Sequence, residues 1–221
     1  MDLFRRKELM DPAEIEALGG LCPPLRSSLR LPYRRRFTAD LSDVMMSSLG
    51  LESGVVRLVE YDPQWPILFQ EEAQRISLAI SPLTLTLHHV GSTAVPELAG
   101  KPVLDILAGY DDPASRSAYI SALCAAGYQH RGEQEIPGRD FFRRGTPRAY
   151  HVHLARVGCE FWHEHLTFRN LLRLDPVLRE QYASLKRQLA MKYPRDRESY
   201  IDGKGPFIRE TLSRTTSAPP G

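Results

Sequence analysis

The chain has 221 residues, 42% of them hydrophobic, and 29 basic side chains against 27 acidic ones leave a formal net charge of +2. That balance supplies no global attraction to nucleic acid or to an anionic membrane surface, so any anion binding has to be built locally. Cys22, Cys124 and Cys159 stand far apart without CxxC spacing, which argues against a disulfide framework or a cysteine zinc site and for a reducing, cytoplasmic compartment; no apolar stretch approaches the ~18 residues that cross a bilayer.

Residues 1–52 are rich in Pro, Gly and Ser and carry a basic run, Arg26, Arg30, Arg34, Arg35 and Arg36, without interleaved aromatics. The acidic residues among them, such as Glu8, Asp11 and Glu14, are wrong for a transit peptide, so the segment reads as a solvated, partly disordered extension. A domain is expected over 53–212, followed by a flexible tail at 213–221. Within the domain, Val55 to Glu60 alternates as a strand, and Trp65, Leu68, Phe69, Ile76 and Ile80 share one helical face, with Pro63 and Pro66 suited to its first turn. Leu83 to Val90 reads as a half-buried strand and Val103 to Tyr110 as a more buried one. Asp112 caps a helix that starts at Pro113 and stops at Gly127. Strands follow at 128–131, 140–144 and 150–156, then helices at 163–173, 176–193 and 206–215. The sum is an α+β arrangement, a mixed sheet with flanking helices and a C-terminal helical layer.

The chemistry concentrates in His89-Val90-Gly91-Ser92-Thr93-Ala94-Val95-Pro96 and Lys101-Pro102-Val103-Leu104-Asp105-Ile106. A Gly91-Ser92 turn can present N–H groups and a hydroxyl to an anion. Asp105 lies in a run buried on both faces, where a carboxylate has to be paired, metal-bound or neutralised. His151 and His153, two apart on a strand, point to one face, and they meet Asp105 if the two strands are neighbours. Three uses of that trio stay open: a transition-metal site, a phosphate site, or acid/base work near neutral pH. Of Arg143 and Arg144 only one can look inward, towards phosphate. His163 and His165 diverge by about 200° on a helix and read as surface or capping residues. Lys186 sits at the edge of an apolar helical stripe, and Lys204, in Gly203-Lys204-Gly205 ahead of an expected helix start, looks like an anion-binding corner rather than a Walker loop.

The Gly91-Ser92 turn followed by a strand aspartate resembles the nucleotidyltransferase superfamily signature. The words Val59-Glu60-Tyr61-Asp62-Pro63-Gln64-Trp65-Pro66, Gly91-Ser92-Thr93-Ala94-Val95-Pro96, Phe141-Phe142-Arg143-Arg144, His151-Val152-His153-Leu154, Phe168-Arg169-Asn170 and Tyr200-Ile201-Asp202-Gly203-Lys204-Gly205-Pro206-Phe207-Ile208 resemble the narrower GrpB-like (UPF0157) family over roughly 53–212. The resemblance implies a nucleotidyltransferase-like fold, with Asp105, His151 and His153 catalytic, Asp105 either a magnesium or manganese ligand or the group that orients a histidine, and Gly91, Ser92, Lys101, Arg143 and Lys204 contacting substrate phosphate. His89 takes a supporting role by family position. Working nucleotidyltransferases place two or three carboxylates around two divalent cations. Here Leu107 occupies the second acidic place, and Glu97, Asp140, Glu160 or Glu164 would have to enter from elsewhere. The expected partner is a nucleotide or other small molecule, with neither nucleic acid nor membrane indicated. Alternatives are a pocket reused for metal-independent acid/base chemistry (cyclisation, dehydration or hydrolysis) and a non-catalytic nucleotide-sensing or interaction module.

Overall fold

The computed structural model describes residues 49–216; the expected extension up to residue 48, with its basic run and Cys22, and the last residues, 217–221, lie outside them. Trp65–Ile80 forms α1, with Pro66 in the first turn, where its missing N–H leaves no intrahelical bond unmade. Trp65, Phe69, Ile76 and Ile80 are its buried stripe. Thr86–Val90 is β1 and Leu104–Tyr110 is β2. The Asp112 carboxylate accepts the Ala114 N–H at 2.9 Å and opens a 3₁₀ turn, Pro113–Ser115, that leads into α2, Arg116–Ala125. Two short strands, β3 (Gln129–His130) and β4 (Asp140–Arg144), precede β5 (Tyr150–Arg156). Three helices finish the domain: α3 (Glu160–Leu174), α4 (Pro176–Lys192) and α5 (Arg197–Thr216).

The five strands run in the order β1-β2-β5-β4-β3. All neighbours are antiparallel except β2 and β5, which are parallel with Asp105 opposite His151 and Leu107 opposite His153. This is the mixed-sheet α+β arrangement read from the alternating periodicities. One face of the sheet presents Leu104, Ile106, Ala108, Phe142, Val152 and Leu154 to Trp65, Phe69 and Ile76 of α1 and Tyr119 and Leu123 of α2, and this is the main core. Full burial of each such side chain contributes ~1.5–3 kcal/mol. The opposite face carries Asp105, Leu107, His151 and His153 beneath the C-terminal helices, which bury a second cluster of Val95, Leu98, Leu172, Tyr182 and Ala183.

Two expected elements and one expected boundary differ. Residues 55–60 are not a strand: Val59 exchanges backbone bonds with Gly100 alone, and the Val56 N–H goes to Pro194 O at 2.9 Å. Alternation makes a strand only where a sheet edge runs alongside it. Leu49 and Leu51 are buried, at 8% and 2% exposure, and Leu51 bridges to Arg148, so packing begins before the expected domain start at 53. The last helix starts at Arg197 rather than Pro206 and runs past 213, taking Gly203-Lys204-Gly205 with it. Pro206 sits inside the helix at the cost of one backbone bond. Gly203 is there for close packing, because a Cβ on it would lie 2.5 Å from Leu189 Cδ2 of α4.

Candidate functional site

Parallel pairing of β2 with β5 brings the aspartate and both histidines together. His151 Nδ1–H donates to Asp105 Oδ1 at 2.9 Å, and His153 Nε2 approaches the same oxygen at 3.4 Å. Arg139 Nη1 lies 3.4 Å from His153 Nδ1, which puts the His153 proton on Nε2, facing Asp105. Burial raises the Asp105 pKa, but hydrogen bonds from His151 and His153 outweigh it and hold the carboxyl well below its ordinary range. Burial pushes His151 down to about 4 against the pull of Asp105. The pair is therefore a carboxylate and a neutral imidazole whose Nε2 is left without a partner among the described residues.

The Gly-Ser turn faces this trio. Gly91 has φ +72°, and a Cβ there would stand 2.7 Å from Asp105 Oδ2. Glycine thus serves both the left-handed backbone and the close approach to the carboxylate. Arg173 of α3 donates to Ala94 O at 2.7 and 2.9 Å, and Arg169 Nη1 donates to His89 O at 3.0 Å. From α4, Lys186, 1% exposed, donates to Ser92 Oγ at 3.0 Å and also to Ala99 O. With Oγ accepting from Lys186, the Ser92 O–H has no acceptor among the described residues and can donate into the cleft it lines.

The cleft has a volume of about 760 Å³, within the range of small-molecule sites. Lys101 and Lys204 converge on the ring of Tyr200, with their ammonium nitrogens 5.5 and 4.8 Å from its centroid. Burial first, then the charge of Lys204, lowers Lys101 to about 7; burial lowers Lys204 to about 8. Arg139 is buried. Of the acidic residues lining the cleft, Glu135, Glu164, Glu198 and Asp202 are exposed at its rim, and Asp105 alone lies inside. Cations are therefore in excess at depth.

Several expectations fall elsewhere. His89 does not serve this face: it stacks on Phe69 at 4.9 Å and bonds Thr93 Oγ1 at 2.9 Å on the core side. Arg144 also points to the core side, where its Nε donates to buried Glu72 at 2.9 Å, so Arg143, opposite His151, is the arginine on the Asp105 face. Lys204 reaches the cleft from the body of α5, not from a loop. His163 is exposed as expected, but His165 lines the cleft, its Nδ1 2.8 Å from Phe161 O and its ring 5.9 Å from His153. Sequence reasoning also passed over Arg139, Arg197 and Tyr200. Tyr200 stands in one of the family words; the two arginines carry no local signal.

Leu107 is fully buried with Val90, Trp162 and Leu166, so α3 closes the place of the second acid with apolar packing. Of the substitutes, Asp140 is held on the far face by Arg116 at 2.7 Å and His130 at 2.9 Å, and Glu97 is exposed and paired with Arg179. Glu160 is exposed too, which leaves Glu164 as the one that lines the cleft. Both imidazoles point at Asp105 Oδ1 rather than at a common centre, and among the described residues no group of three or more His, Cys, Asp or Glu is placed to hold a metal ion. Magnesium and manganese, which prefer several oxygen ligands, do not fit this donor set.

Fold and site together define an α+β protein with a five-stranded mixed sheet in which a Gly-Ser turn abuts a strand aspartate beneath a cationic cleft. The chain belongs to the GrpB family, whose model, described as "GrpB protein", matches residues 55–214. The crystal structure of GrpB from Enterococcus faecalis superposes with a TM-score of 0.65 at 33% identity, over 72% of this chain and 96% of that one. The UPF0157 protein YqkA of Bacillus subtilis is 36% identical over 155 residues, 70% of this chain, which spans only 45% of YqkA. A dephospho-CoA kinase of Mycolicibacterium paratuberculosis is 27% identical over 195 residues, 76% of this chain and 48% of that protein.

Proposed function

We propose that the protein binds a phosphorylated small molecule of nucleotide type in the cleft above Asp105, without a divalent cation. The observation that carries this reading is the convergence of Lys101 and Lys204 over Tyr200, with every lining carboxylate but Asp105 at the rim. Burial lowers the pKa of both lysines and an anion raises it again, and a phosphoryl group matches both them and the Ser92 hydroxyl. Lysines here take the charge-neutralising place that metal ions hold in a working nucleotidyltransferase. The likeness to a protein named dephospho-CoA kinase supports a nucleotide-type ligand, although this chain has no Gly-x4-Gly-Lys-Ser/Thr loop of its own.

A second reading, turnover by metal-independent acid/base chemistry, is favoured by the two oxygens of Asp105. Oδ1 is occupied by the histidines, while Oδ2 lies beside Gly91 at the cleft and is the oxygen left to accept a substrate proton. His151 and His153 then orient the base.

The test is thermal unfolding of the intact protein with nucleoside triphosphates and with inorganic phosphate, each with and without magnesium or manganese. A ligand at a hundred times its Kd stabilises by ~2.7 kcal/mol. Stabilisation that is indifferent to metal and lost in Lys204→Met is the expected result. A shift that requires the metal, or none with any anion, overturns the proposal. Asp105→Asn is expected to keep the shift and to abolish any turnover found.

A further inference from the structure

Beside the cleft, towards β4, three arginines leave guanidinium nitrogens without a partner among the described residues. Arg148 is 7% exposed; its Nη1 donates to Glu52 O at 3.0 Å, but Nε and Nη2 are buried without a partner. Arg143 and Arg197 are half-buried, and each has its Nε alone buried without a partner. None of the three forms an ion pair with a described carboxylate. Arg143 stands opposite His151, which stands opposite Asp105, so its backbone is two strand spacings, or ~10 Å, from that of Asp105. Arg197 lines both the main cleft and an adjoining groove, whose other lining residues are Ser53, Gly54, Arg143, Arg195, Asp196 and Glu198. Burial, then the charges of the other two, lowers Arg148; burial, then Arg197, lowers Arg143. Among nearby acids, Asp196 caps the start of α5 through Ser199, at 3.0 and 2.6 Å, and Glu198 is exposed.

We infer that Arg143, Arg148 and Arg197 form a second anion subsite beside the Asp105 cleft, so that the ligand carries two separate anionic groups, one over Tyr200 and one at the β4 wall. An unpaired buried guanidinium is costly, and an oxyanion accepting two parallel N–H bonds removes that cost more completely than water does. Two such sites call for a molecule with two phosphoryl groups rather than inorganic phosphate alone. This inference rests on the anion-binding reading above, and its test separates the two.

Calorimetric titration of the whole chain with inorganic phosphate at low ionic strength should give two sites. Arg148→Met and Arg143→Gln should each leave one, and Lys204→Met should leave the other; should Arg148→Met fail to fold, Arg143→Gln carries the test. A single wild-type site that survives both arginine substitutions overturns the second subsite and leaves the first standing. Two sites that persist in both arginine variants overturn it as well. A single site lost in the arginine variants but kept in Lys204→Met overturns the reading over Tyr200, and no phosphate binding at all overturns both.

Discussion

Gly91 is the residue where backbone, carboxylate and ligand meet. Its φ of +72° already disfavours a side chain, and a Cβ would press to 2.7 Å on Asp105 Oδ2, in a carboxylate whose other oxygen is bonded to His151. Gly91→Ala is expected to cost about 1–3 kcal/mol, read as a lower urea midpoint, and to abolish stabilisation by phosphate. The lysines set a pH dependence. Lys101 is lowered from 10.5 to about 7 and Lys204 from 10.5 to about 8, so over that interval the unfolded chain binds more protons and stability rises with pH. An anion over Tyr200 raises both pKa values again. Binding therefore takes up protons at pH 8, and affinity for an anion of fixed charge falls as pH climbs from the free-state values, about 7 and about 8, towards the bound-state ones. Phosphate titrations at pH 8 in buffers of unequal ionisation heat measure this directly, and equal apparent enthalpies would count against lysine contact.

At the scale of elements, β2 shows how one position decides the chemistry a strand can carry. Asp105 and Leu107 point to the same face, yet the first opens on the cleft and the second lies under Trp162 and Leu166 of α3. Leu107→Asp restores the acidic pattern in sequence but places a carboxylate in apolar packing without a partner. It is expected to destabilise by about 3–5 kcal/mol in urea unfolding and to create no magnesium-dependent ligand binding; a stable variant that gains a magnesium response would mean that α3 can move aside. Helix α5 makes the complementary point. Gly203, Gly205 and Pro206 look like a loop to any local rule, because each disfavours a helix interior. Packing overrides them: Gly203 lets α5 close on Leu189, and that closure carries Lys204 and Tyr200 to the cleft.

At the scale of the whole molecule, the same sheet divides two kinds of work. The face towards α1 and α2 is apolar and supplies the main core, with Glu72 held there by Arg75 and Arg144. The face towards α3, α4 and α5 holds the polar groups, and Lys186, Arg169 and Arg173 tie those helices to the Gly-Ser segment that forms one wall. No helix among the described residues is long and apolar enough to cross a membrane. The order and type of the elements from α1 to α4 were legible because their stripes and alternations are local, and so were Gly91, Asp105 and the shared face of His151 and His153. The segment 55–60 was misread because strand character needs an edge to pair with, and His165, Arg139, Arg148 and Arg197 were missed because nothing near them in sequence marks their destination. By itself, the sequence determined which residues can turn, ionise and alternate, since these depend on covalent geometry and side-chain chemistry. Only the tertiary structure decided that β2 lies parallel to β5, that α3 seals Leu107, and that Arg139, Arg197 and Lys204 join Lys101 in the cleft above Asp105, because burial and charge proximity are properties of chain segments far apart in sequence.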